Sequence, residues 1–247
     1  YLGMEHQSNV AYGNKYMNGY LGNDLSGTGI GLNWDYIIIH ESGHEWFANN
    51  ITAKDVADMW IHESFTTYSE VLFTDHFMDK NSGNKYAQGL RQSISNDIPI
   101  IGKYGIRNEG SGDMYPKGAN MIHTIRQVIN NDEKFREILR GMNKEFYHQT
   151  VTTKQIEDYI SQKSGINFSS VFNQYLRTTK IPNLEYQQNG SELKFRYSNV
   201  VENFVLPVRI NENQTINPTK NWQTIKLNSS NEVNFDRNYY INYQNVN

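Results

Sequence analysis

The segment His40-Glu41-Ser42-Gly43-His44 sets two imidazoles four residues apart, with a carboxylate beside the first. On a helix, positions i and i+4 share a face, so one metal ion can take a ring nitrogen from each histidine. A catalytic zinc uses three protein ligands and keeps a fourth position for water. Glu63, in Met59-Trp60-Ile61-His62-Glu63-Ser64-Phe65, follows His44 after eighteen intervening residues and is the third ligand this spacing predicts. Glu41 then stands where a carboxylate takes the proton of metal-activated water. The chemistry this arrangement predicts is hydrolysis, with one Zn2+ per chain. The competing reading is an exposed polar stripe on a helix, and the placement of Glu63 weighs against it.

These residues need two helices that meet. Asn33 is a plausible N-cap for a helix over residues 34–49, and Ile37, Ile38 and Ile39 make that helix apolar on more than one side, as in a buried central helix. A second helix is expected over 54–78, with Val56, Met59, Trp60, Phe65, Val71, Leu72 and Phe73 near the 3.6-residue period. A short turn between the two brings His40, His44 and Glu63 together. Further helices are expected around 84–95, 113–130, 132–147, 153–163 and 168–178, with Gly165 ending the fourth of that series before the last begins. Residues 1–31, rich in Gly, Asn and Tyr, suit short strands and loops. The region of Pro182 breaks the helical text, and alternation follows at 193–197, 205–210, 222–227 and 239–243, which predicts short strands.

With 247 residues the chain buries a full core, as one large or two smaller domains. Lys+Arg 23 against Asp+Glu 26 gives a net charge of −3, which offers no case for binding nucleic acid or a membrane surface. The absence of cysteine excludes disulfides and thiolate metal sites. The apolar run at 36–39 is far too short for a membrane span. A first residue of tyrosine, with no leader pattern, leads us to expect a mature or cut fragment. Nothing in the composition indicates a compartment.

Taken together, the chain resembles the aminopeptidase N family of gluzincin zinc metallopeptidases. Gly3-Met4-Glu5-His6 resembles that family's Gly-x-Met-Glu-Asn, and His44-Glu45-Trp46-Phe47-Ala48-Asn49 its His-x-Trp-Phe-Gly-Asn. Trp60-Ile61-His62-Glu63-Ser64-Phe65 with Tyr68 and Glu70 is similar to Trp-Leu-Asn-Glu-Gly-Phe-x-x-Tyr-x-Glu. Tyr115-Pro116-Lys117-Gly118-Ala119 is similar to Tyr-Glu-Lys-Gly-Ala, and Phe172-Asn173-Gln174-Tyr175-Leu176 to the end of the helical lobe. His6, Ala48, His62 and Pro116 depart from those patterns, at pocket details rather than at a ligand.

The resemblance implies an α+β fold: a thermolysin-like, mainly helical zinc-peptidase domain over 1–182, lacking the N-terminal part of its lobe, then a small all-β, sandwich-like domain over 183–247. A missing N-terminal domain is expected to pack on the catalytic lobe. The implied activity is zinc-dependent removal of the first residue from peptides with a free N-terminal amine. Glu41 is then the general base, and Tyr115 the donor to the developing oxyanion. Glu5 pairs with the substrate ammonium, while Gly3 and Met4 hold substrate backbone at a strand edge. Glu70, two helical turns after Glu63, is placed to orient a ligating histidine from behind. The alternatives are a zinc endopeptidase, a family offshoot hydrolysing a lipid epoxide, and a zinc-binding scaffold of weak activity. The histidines His6, His62, His76, His123 and His148 lack ligand spacing and are read as structural or solvated.

Overall fold

The computed structural model describes residues 2–211 and 214–246. Helix α1 (Tyr36–Gly43) is shorter than the 34–49 expected, and its N-cap is Asp35, which accepts from the Ile38 amide. Asn33 instead closes a 3-10 turn, Ile30–Asn33, with its side-chain amide on the Ile30 carbonyl. The early stop has a cause in the hydrogen bonding. Beyond Gly43 the spans change: the Glu45 amide donates to the Ser42 carbonyl and the Trp46 amide to that of Gly43, three residues back, and the Asn49 amide to that of His44, five back. Residues 44–50 therefore run as turns.

The 54–78 helix is also corrected. Helix α2 (Trp60–Phe77) is preceded by a turn, Val56–Asp58, capped by the Asp55 carboxylate. Short strands β1 (Gly3–Met4) and β2 (Ala11–Tyr12) form an antiparallel pair near the start of the chain. Strand β3 (Ile51–Ala53) pairs in parallel with β4 (Gln149–Val151). Three residues are too few to show alternation, so neither strand was legible. Helix α2 is buried almost all round, with Trp60, Ile61, Phe65, Tyr68 and Val71 in the core and both Glu63 and Glu70 buried among them. Helix α3 (Lys80–Gly89) starts earlier than expected because Asp79 caps it, accepting from the Ser82 amide. Helices α4 (Pro116–Ile129), α5 (Asp132–Glu145), α6 (Thr153–Ser164) and α7 (Ser169–Arg177) complete the helical part. A reciprocal Thr152/Gln155 capping box starts α6, and Gly165 in the left-handed conformation ends it.

The last quarter of the chain, from Asn183, carries the larger sheet. Strands β5 (Asn183–Asn189), β6 (Glu192–Ser198), β9 (Gln223–Lys226) and β10 (Asn242–Asn245) form one sheet in the order β10-β5-β6-β9, with β10 parallel to β5. Strands β7 (Val208–Ile210) and β8 (Gln214–Ile216) form a separate antiparallel pair. The strand expected at 239–243 lies at β10 because Tyr240 is committed elsewhere. Its amide donates to Thr124 Oγ1 on α4, and its carbonyl accepts from the Tyr175 hydroxyl on α7. Arg91 likewise donates to the carbonyls of Arg237 and Asn238. One apolar core runs from Trp34 to Ile241 through both parts. No described helix is long and apolar enough to cross a membrane.

Candidate active site

His40 lies on α1, His44 directly at its C-terminal end, and Glu63 in the first turn of α2, all three buried. One ligand atom from each lies within 4.8 Å of the others. Glu63 Oε2 is 3.4 Å from His40 Nε2 and 3.4 Å from His44 Nε2. Those separations are long for hydrogen bonds, but the edge of a tetrahedron with ligands at ~2.1 Å from a central zinc is also ~3.4 Å. Glu63 Oε2 is buried and has no hydrogen-bond partner. An acceptor so placed carries a large penalty unless something positive faces it. The donor set and its spacing fit a zinc ion.

The back of the site fixes which nitrogen is free. His44 Nδ1 lies 3.0 Å from the Phe47 carbonyl, which only accepts, so this nitrogen carries the proton and Nε2 has the lone pair. Thr66 Oγ1 is also 3.0 Å from that Nδ1. His40 Nδ1 lies 2.7 Å from Glu70 Oε1, and the Tyr86 hydroxyl donates to the other oxygen at 2.6 Å. Glu70 is 0% exposed and thus faces inward rather than to solvent. Burial pulls the His40 pKa down, but the Glu63 and Glu70 carboxylates beside it reverse that and push it up to about 10. Burial raises Glu63, and the His40 and His44 imidazoles beside it override that and bring it down to about 2.

The sequence reading did not find Tyr86, Thr66 or the Phe47 carbonyl, because no spacing rule links α3 or a turn carbonyl to a histidine on α1. Replacing Glu70 with alanine is expected to weaken zinc binding ~10–100-fold, read by competition with a chromogenic chelator. Unchanged affinity would remove Glu70 from the site.

In front of the site stands Glu41. Its Oε2 is buried without a hydrogen-bond partner, and burial raises its pKa above the ordinary carboxylate value. Strand β1 passes directly over it: a Cβ on Gly3 would lie 2.1 Å from Glu41 Oε1. Only glycine lets the strand come so close. Glu5, two residues on, has a carboxylate oxygen within 4.8 Å of ligand atoms on Glu41 and His44. The Glu5 carbonyl accepts from the Asn49 side-chain amide at 3.2 Å, which ties the strand to the turn after α1. Tyr115 lies across the site, its ring centroid 6.0 Å from that of His40 and its side chain 37% exposed. Burial, then the Glu63 charge, pushes its phenol far above the usual range, so it stays a protonated donor. Glu109, from a loop without a motif, adds to that field and was missed in the sequence.

The Peptidase family M1 domain matches residues 2–175. The chain belongs to peptidase family M1. A leucyl aminopeptidase of Saccharolobus solfataricus is 25% identical over 168 residues, 64% of this chain and 21% of that protein. An aminopeptidase N of Lactococcus lactis is 22% identical over 160 residues, 59% of this chain and 19% of that one. The chain thus spans about a fifth of the length of these curated relatives. Among solved structures, an aminopeptidase A of Legionella pneumophila in complex with aspartic acid shares the fold over 83% of this chain and 26% of its own, with a TM-score of 0.64 and 15% identity. An M1 zinc metallopeptidase of Deinococcus radiodurans bound to Tyr-Ser-Ala matches 61% of this chain and 34% of its own, with a TM-score of 0.51 and 24% identity.

The remaining histidines of this M1 chain have other surroundings. His62 Nε2 accepts from the Ala53 amide at 2.7 Å, and burial lowers its pKa to about 4, so it joins β3 to α2 as a neutral ring. His123, fully buried, lies between the Tyr68 hydroxyl and Asn238, and burial lowers its pKa to about 3. His76 and His148 pack against Phe77 and Tyr147. A groove of about 970 Å3, with Ile39, Trp46, Phe73, Phe77 and Leu139 in its walls, lies on another face of α1 and has none of the three ligand residues in its lining.

Proposed function

We propose that this chain is the zinc-binding part of an aminopeptidase, with a thermolysin-like arrangement of α1 and α2. One observation carries the choice of aminopeptidase: the Glu5 carboxylate shares one small space with Glu41 and His44. That acidic corner beside the ligand triad suits an ammonium group. A carboxylate at a fixed distance from the metal measures out one residue, so the first peptide bond of a free-amine peptide meets the reacting groups. An endopeptidase has no use for it.

Zinc held by His40, His44 and Glu63 would act as Lewis acid and lower the pKa of its water towards ~7. Glu41 takes the proton from the attacking water and delivers it to the leaving amine. The Tyr115 phenol donates a hydrogen bond to the oxygen that becomes negative as the carbonyl is attacked. Gly3 and Met4 receive substrate backbone along the strand edge. Glu70 holds the His40 ring so that Nε2 points to the ligand position. The segment 183–247 supplies none of these groups and builds its own sheet, so the same reading divides the chain into a catalytic domain of 1–182 and a small β domain of 183–247 packed on it through a shared apolar core. Given how much longer the relatives are, a further domain packing on α1 belongs to the same reading, and Ile38, 47% exposed, offers it an apolar contact.

The test is hydrolysis of aminoacyl arylamides with and without N-acetylation. Free-amine substrates are expected to be cleaved, acetylated ones to be poor, and a chelator to stop both. Internal cleavage of blocked peptides at comparable rates would replace the aminopeptidase reading with an endopeptidase.

A further inference from the structure

Ser64 follows the ligand Glu63 on α2 and is fully buried. Its hydroxyl donates to the Met114 carbonyl at 2.6 Å, one residue before Tyr115. The first turn of α4 sits directly on the same side chain: a Cβ on Gly118 would lie 1.9 Å from Ser64 Oγ and 2.7 Å from its Cβ. Two other contacts hold this stretch of backbone. Lys117, 0% exposed, donates from Nζ to the Thr178 carbonyl at the end of α7, and Asp113 accepts from the amides of Ser95 and Asn96. Of the three anchors, Ser64 alone stands on the helix that bears Glu63 and Glu70.

We propose that Ser64 is a positioning residue that sets the Tyr115 phenol in register with the Glu63 ligand. The inference rests on the role proposed for Tyr115. A phenol assists only if its donor sits ~2.7–3.1 Å from where the oxyanion forms. The Tyr115 side chain is partly exposed and packs one face on His40, so the backbone that carries it sets where the phenol sits. The Ser64 hydroxyl ties that backbone to the ligand helix itself. Without the hydroxyl, a buried carbonyl loses its donor and the seat under Gly118 opens. Displacement of a reacting group by about 1 Å is enough for a loss of ~10²-fold.

The experiment compares Ser64→Ala, Tyr115→Phe and the double variant in the intact protein, with Ser64→Gly as a second route should the alanine variant fold poorly. Glycine stands at this position in the motif this segment resembles. Three quantities are read: kcat and KM on a free-amine arylamide, zinc affinity by chelator competition, and the 19F resonance of 3-fluorotyrosine installed at position 115. Ser64→Ala is expected to lower kcat ~10-fold or more, with KM and zinc affinity within twofold. It should also move the 19F resonance, and in the Tyr115→Phe background it should cost kcat nothing further. An equal loss in both backgrounds overturns the proposal, since Ser64 would then act on something other than Tyr115. A parallel loss of zinc affinity overturns it too, because the effect would run through Glu63. If Tyr115→Phe keeps full activity, the role of Tyr115 fails instead, and the 19F resonance still decides whether Ser64 holds the ring.

Discussion

Glu41→Gln is expected to leave zinc affinity unchanged and to lower kcat ~10²–10⁴-fold, the range for loss of a general base. The separation of the two effects follows from the geometry. The ligand triad of His40, His44 and Glu63 closes without Glu41, whose Oε2 is buried and unpartnered. Glutamine has the same shape and fits under Gly3, but its amide nitrogen has no lone pair to receive the proton of water. The pH profile gives a second signature. Burial raises the Glu41 pKa, and a base works only when deprotonated, so the rate falls as pH drops through a value above the ordinary carboxylate range. In the glutamine variant the part of that acidic limb due to Glu41 should vanish from the residual rate. Metal content by atomic emission with single-turnover kinetics on a free-amine arylamide makes the check. Full zinc with an undiminished rate would mean another base acts.

What could be read in the sequence was what spacing encodes. His40 and His44 share a helical face because four residues make about one turn, and the amphipathic stripe of α5 through Phe135, Ile138 and Met142 is equally local. The misplacements have non-local causes. Helix α1 gives way to turns after Gly43, and those turns are held from outside by Thr66 of α2 and Thr52 of β3, which donate to the Phe47 and Ala48 carbonyls. Strands β3 and β4 pair across about a hundred residues, and each is too short to alternate. The shell behind the ligands shows the same division. Glu70 lies on the helix of Glu63 at a spacing that points to it, whereas Tyr86 reaches Glu70 from α3, which no period connects to α1. Ser64 was visible only as a neighbour of Glu63. Its link to Met114 exists because α4 packs on α2, and that contact is tertiary.

Glu5→Ala is expected to separate an aminopeptidase from every other reading of this site. Removing one partner of a desolvated charge pair costs ~2–5 kcal/mol, and Glu5 is only half-buried, so the lower end applies, ~30-fold in kcat/KM for free-amine substrates. The loss should fall on KM as well as kcat, because the ammonium both binds and aligns the first peptide bond. N-acetylated substrates bring no charge, so they should be poor with the parent protein and lose little more in the variant. The specificity ratio therefore collapses rather than both rates falling together. Glu5→Gln should behave like the alanine variant, since the amide keeps the shape and loses the charge. The neighbour Glu41 supplies an independent check. The Glu5 carboxylate is among the charges that raise the Glu41 pKa. Neutralising it lets Glu41 ionise more readily, so the acidic limb of the rate should move to lower pH. A merely structural loss at β1 would lower the rate for blocked and free substrates alike and leave that limb where it was. Equal losses on both substrate types, with an unmoved limb, would remove Glu5 from amine recognition and leave the zinc triad and Glu41 as a hydrolytic centre without a terminus-reading device.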